Sequence, residues 1–161
     1  MTRRVLVLAI TVVSLASLAA QDRPPFQDDF PAAEFVQRRA RVMDAIGNEA
    51  IALVQGAPGV DGFKVFRQSN EFYYLTGLET PHAYLVIDGR SRRTTLYLTP
   101  RNEALERSTG RMWSAEDATE VIQLTGVDAV APVSLLSRQT FGAMLRPPRP
   151  RLYVPFSPAE G

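Results

Sequence analysis

FRQSNEFYYLTGLETPHAYLVIDG, Phe66 to Gly89, decides how the chain folds, because its character changes repeatedly along its length. Polar residues from Arg67 to Asn70 run into the aromatic block Phe72-Tyr73-Tyr74, Gly77 and Pro81 punctuate, and an apolar run follows from Ala83. The aromatic block has strand propensity, but Asn70 is a good helix cap, Glu71 suits a first turn and Gly77 suits a left-handed exit. This favours one or two helical turns from Glu71 to Thr76. Arg67 and Gln68 then lie on the approach, with several donors free to fix neighbouring backbone.

Downstream, Ala83 to Asp88 and Thr94 to Thr99 read as strands of a hairpin turned by Gly89 to Arg93. Upstream, Pro31 opens a helical pattern to Ile46, with Phe35, Val36, Val42, Met43 and Ile46 at helical spacing and Arg38, Arg39 and Arg41 between them. Gly47 is its stop. Ala50 to Gln55, closed by Gly56, Pro58 and Gly59, reads as a buried strand. Further on, Ser114 caps a helix that carries Glu116 and Asp117 in its first turn and runs to about Leu124 before Gly126. Val127 to Val130 reads as a strand, Val133 to Leu145 as a helix, and Leu152 to Val154 as a last strand. The expected class is α/β, a mixed β-sheet flanked by helices.

The ends differ from this middle. Arg3 and Arg4 precede an apolar run from Val5 to Leu18 and the small residues Ala19 and Ala20, the layout of a cleavable export signal over residues 1–19. The run is short and diluted by Thr11, Ser14 and Ser17 for a membrane anchor, the alternative reading. The twin arginines also admit the folded-protein export route. A periplasmic or extracellular location is therefore expected. Residues 20–30, rich in proline and polar groups, read as a flexible tether, and residues 31–161 as the folded domain. The chain stops in turn-like residues just after a strand, which suggests a fragment of a longer protein.

Composition excludes several classes of function. With 18 basic and 17 acidic residues there is no net field to hold nucleic acid or anionic lipid. The chain has no cysteine, hence neither disulfides nor thiolate metal sites. His82 is the one histidine and has no ligand partners at helical or strand spacing. No G-x-S-x-G elbow accompanies it, and the loop Gly56-Ala57-Pro58-Gly59 lacks both P-loop lysine and dinucleotide-binding glycine spacing. RPPRPR, from Arg146 to Arg151, has the composition of a polyproline ligand, although a plain helix-to-strand connection is the favoured reading.

At Arg67, Gln68, Phe72, Tyr74, Leu75, Thr76, Gly77 and Pro81 the sequence resembles the N-terminal domain of Xaa-Pro aminopeptidase (aminopeptidase P), whose relatives include prolidase and creatinase. YLTPRNEALERSTGRMWSAEDATEV continues the resemblance through Pro100-Arg101-Asn102, Gly110-Arg111 and, later, Thr125-Gly126-Val127-Asp128. The opening helix, with QRRARVMDAIG, is similar as well.

The resemblance implies a creatinase-type N-terminal fold. It also implies a parent activity, manganese-dependent release of an N-terminal residue preceding proline, whose ligands belong to a separate C-terminal "pita-bread" domain. No catalytic or metal-binding residue, and no bound manganese, is then expected in this chain. Its implied partners are its own catalytic domain, neighbouring subunits of a homo-oligomer and, for the parent enzyme, the peptide substrate, with no nucleic acid. Arg67, Gln68, Phe72, Tyr74 and Gly77 become structural or subunit-interface residues, and His82 and Trp113 possible substrate neighbours. Family members often carry an aromatic residue where Ser108 stands, so Trp113 would have to compensate. A stand-alone exported binding or oligomerisation module is the alternative.

Overall fold

The computed structural model describes residues 24, 26–59, 65–145 and 147–155; the expected export signal and the chain end from residue 156 lie outside them. Helix α1 (Ala32–Ile46) leads into strand β1 (Ala50–Gln55), helix α2 (Asn70–Thr76) and the hairpin β2 (Tyr84–Asp88) and β3 (Arg93–Leu98). Helix α3 (Glu103–Thr109), a 3-10 turn (Ala115–Asp117) running into helix α4 (Ala118–Thr125), and strand β4 (Ala129–Pro132) follow. A broken helical segment ending in the short α5 (Gly142–Met144) then precedes β5 (Arg151–Tyr153).

The strands form one sheet in the order β4-β3-β2-β1-β5, antiparallel in the middle and parallel at both outer pairs. The hairpin closes because Asp88 Oδ1 accepts from the backbone N–H of Arg90 at 2.9 Å, which folds the chain back locally. Alternation along the strands then assigns the two faces. Ala52, Val54, Leu85, Ile87, Leu96 and Leu98 meet Met43, Phe72, Leu75, Trp113 and Val121 in the main core. Ile51, Val86 and Tyr97 face the other way and meet Leu136 under the 133–144 segment.

Several expectations need correction. Phe26, assigned to the flexible tether, bridges Leu78 as an isolated antiparallel pair and packs edge-on against Phe35 at 6.1 Å. Ser69 rather than Asn70 occupies the cap position of α2; its hydroxyl donates to the Gln55 carbonyl instead of capping. The expected continuous helix from Val133 to Leu145 breaks into a 3-10 turn, a wide turn over Ser137–Phe141 and α5. Strand β4 begins at Ala129 rather than Val127, and Asp128 N–H bonds the neighbouring strand just before it, donating to Thr94 O at 3.1 Å. Helix α3 was not anticipated, although Asn102 caps it by accepting from Leu105 N–H at 3.1 Å.

The largest departure concerns α1, whose buried face is Phe35, Arg38, Arg39 and Met43 while Val36 stands exposed. Arg39 donates to the carbonyls of Leu75 and Thr125, each at 2.8 Å. These carbonyls belong to the last turns of α2 and α4, where intrahelical partners are lacking. One buried guanidinium thus ties three helices together. Burial pulls its pKa down to about 10 against the opposing attraction of Asp128, so it stays charged at neutral pH.

Candidate functional site

Strand directions bring the C-terminal ends of β1 and β3 and the N-terminal end of β2 to one end of the sheet. The quoted motif collects there. Gln68 is buried, and its Oε1 accepts from the N–H groups of Ala57 at 2.6 Å and Ser69 at 2.9 Å while Nε2 donates to Thr80 O at 2.8 Å. One amide therefore joins the loop after β1, the start of α2 and the loop before β2. Thr80 extends the network by donating its hydroxyl to Trp113 O at 3.0 Å.

The other motif residues separate into inside and outside. Phe72 and Trp113 lie in the same core at 0% and 1% exposure, so the Trp113 indole faces packed side chains rather than solvent. Gly77 takes a left-handed conformation, φ 70°, and a Cβ there would lie 2.7 Å from Phe35 Cζ. Tyr74 is half exposed, with its ring over the Arg38 guanidinium at 4.4 Å. Arg67 and His82 are exposed. His82 has φ 56°, donates its N–H to Ala57 O at 3.0 Å and accepts from Gly59 N–H at Nε2, 3.2 Å away. The segment is accordingly both core and surface: Gln68 and Phe72 hold the end of the sheet together, and Arg67 and His82 are what it presents.

Beside this lies a second polar cluster, which sequence reading noticed only as a helix start. Asp117 accepts from Ser114 N–H at 3.0 Å, Ser114 hydroxyl at 2.6 Å, and the guanidiniums of Arg101 and Arg111 at 2.5 and 2.9 Å. Burial works against its ionisation, but the hydrogen bonds from Ser114 and Arg111 and the charge of Arg101 outweigh it and hold the carboxyl below its ordinary range. Glu116 accepts from Arg101 N–H at 2.9 Å, and that bond lowers its carboxyl too. Arg101, Glu103, Glu106, Arg107 and Arg111 line an open, strongly polar depression next to it. The capping pattern of Ser114 and Asp117 was visible in the sequence; its arginine partners were not.

Neither cluster has the makings of a metal centre or nucleophilic triad. Among the described residues no three histidine, cysteine or carboxylate side chains converge as a metal site would require. The geometry is that of a braced surface with mixed charge, suited to contacting another protein surface or a peptide.

Comparison with known proteins identifies the family. Residues 35–151 match the family model "Aminopeptidase P, N-terminal domain". The Xaa-Pro aminopeptidase of Escherichia coli strain K12 is 29% identical over 115 residues, which are 67% of this chain and 25% of that protein. Among solved structures, a Bacillus anthracis protein assigned as an aminopeptidase P superposes with a TM-score of 0.69 at 20% identity, over 81% of this chain and 32% of the other. A zinc-substituted E. coli aminopeptidase P in complex with product superposes with a TM-score of 0.62 at 24% identity, over 71% and 27%. The match thus spans about a quarter of the E. coli relative's length.

Proposed function

The chain belongs to the aminopeptidase P N-terminal domain family, and from that premise we propose that it is the non-catalytic N-terminal domain of an exported, manganese-dependent Xaa-Pro aminopeptidase. The observation that carries this reading is the family match over residues 35–151, in a chain that covers only the first quarter or so of full-length relatives. Under it, manganese and the groups that activate water belong to a separate catalytic domain outside these 161 residues, and this domain contributes shape and contacts. The substrate is a peptide with proline in second position, and the partners are the catalytic domain and neighbouring subunits. Arg67 and His82, exposed at the braced end of the sheet, are the motif residues in position to touch either. The apolar run after Arg3 and Arg4 supports export.

Two measurements test it. Sequencing past the codon for Gly161 is expected to reveal an in-frame continuation encoding two aspartates, a histidine and two glutamates as metal ligands; an authentic stop codon favours the stand-alone module. Purified 161-residue chain supplied with Mn²⁺ and an Xaa-Pro peptide is expected to release no amino acid. Turnover that depends on this polypeptide overturns the non-catalytic assignment.

A further inference from the structure

His82 is tied to the loop that leaves β1 in a way that depends on its charge. Its backbone takes the left-handed conformation, φ 56°, which is uncommon for a residue other than glycine. Two hydrogen bonds run from it to the loop. Its N–H donates to Ala57 O at 3.0 Å, and its ring accepts from Gly59 N–H at Nε2, 3.2 Å away. A ring nitrogen that accepts carries no proton, so the second bond exists only with the neutral imidazole. Protonation makes both ring nitrogens donors and sets the new Nε2 N–H against the N–H of Gly59.

The two parts of the loop respond differently to that change. Gly56 N–H donates to Ala83 O at 2.8 Å, and Ala57 N–H to Gln68 Oε1 at 2.6 Å, neither of which titrates. Ala57 is thus fixed at both its N–H and its carbonyl whatever the charge of the ring. Pro58 has no N–H to donate. Gly59 is exposed, and among the described residues its N–H is held by the His82 ring. No titratable side chain stands on the loop from Gly56 to Gly59. Glu79 and Tyr84 flank His82 on its own segment and Arg67 lies on the approach to α2, but among the described residues the ring bonds Gly59 and none of these.

We propose that His82 is an acid-released latch: neutral, it holds Gly59 against the end of the sheet, and protonated, it frees Pro58 and Gly59 while Ala57 stays fixed as the hinge. What this end presents then changes with pH, from an imidazole occupied by the loop to a free cationic donor. The latch belongs to the surface that carries Arg67 and His82 and does not rest on the peptidase reading, since it invokes no catalytic domain.

Nuclear magnetic resonance of the full chain from pH 8 to pH 5, the range in which histidine changes charge, tests it. The chain has one histidine, so its ring signal reports the titration directly. The Gly59 amide is expected to lose order, read as a fall in its heteronuclear Overhauser effect, with the same midpoint as the His82 ring, while the Ala57 amide keeps its order throughout. His82→Ala is expected to leave Gly59 mobile at both ends of the range, and neither His82→Ala nor His82→Gln is expected to show the pH response. Unchanged amide spectra elsewhere will show that both variants fold. A Gly59 amide that ignores the His82 titration, an Ala57 amide that loosens with it, or a pH response that survives in either variant overturns the proposal.

Discussion

Gln68 and Arg67 are neighbours in sequence with opposite tasks. Gln68 makes three hydrogen bonds inside the protein, and Arg67 points out of it. Replacing Gln68 by Ala leaves the Ala57 and Ser69 N–H groups and the Thr80 carbonyl without that partner. The expected loss is about 2–4 kcal/mol in denaturant unfolding, the range for leaving buried polar groups unmatched. Arg67→Ala and His82→Ala are expected within about 0.5 kcal/mol of the parent. Equal losses from Gln68→Ala and Arg67→Ala would contradict the division of roles. That polar donors stood ready at this point was legible in the sequence. Which backbone groups they reach was not, since Ala57 and Thr80 are distant along the chain and only folding brings them together.

At the scale of elements, helix ends decide most of what is unusual here. Arg39 satisfies the last turns of α2 and α4, and Asp117 satisfies the start of the turn into α4 while gathering Arg101 and Arg111. The folded-state pKa of Asp117 lies below its ordinary value. Its contribution to stability is therefore fully present above the unfolded-state pKa and is lost as pH falls through the lower, folded-state value. Asp117→Asn is expected to lower stability by about 1–3 kcal/mol near neutral pH and to flatten the acid side of the stability profile, as followed by urea unfolding from pH 7 downward. An unchanged acid limb would show that Asp117 is not a source of that dependence. The Ser114 capping pattern and the glycine stops were readable locally because they act within one turn. Helix α1 misled by periodicity: an arginine at helical spacing reads as a solvent residue unless the carbonyls it serves are known.

For the molecule as a whole, the two faces of the sheet carry unequal cores. Leu96 lies fully buried beneath three helices, whereas Leu136 closes the smaller core from the single broken segment. Leu96→Ala is expected to cost about 3–5 kcal/mol, and Leu136→Ala about 1–2 kcal/mol less, because a lightly covered site can collapse around the missing atoms. Guanidinium unfolding of the two variants compares them directly; equal costs would mean the second face is as tightly built as the first. The sequence by itself determined the order of the strands along the chain, the hairpin, the left-handed helix exits at Gly77 and Gly126 and the family resemblance at Arg67 to Gly77, because each is written in nearest-neighbour chemistry or in short motifs. Tertiary structure alone decided that Arg39 is interior, that Trp113 faces the core, that Phe26 docks on Leu78, and that Asp117 draws in two arginines. Those outcomes depend on groups separated along the chain meeting in space, where burial makes an unpartnered charge or carbonyl costly.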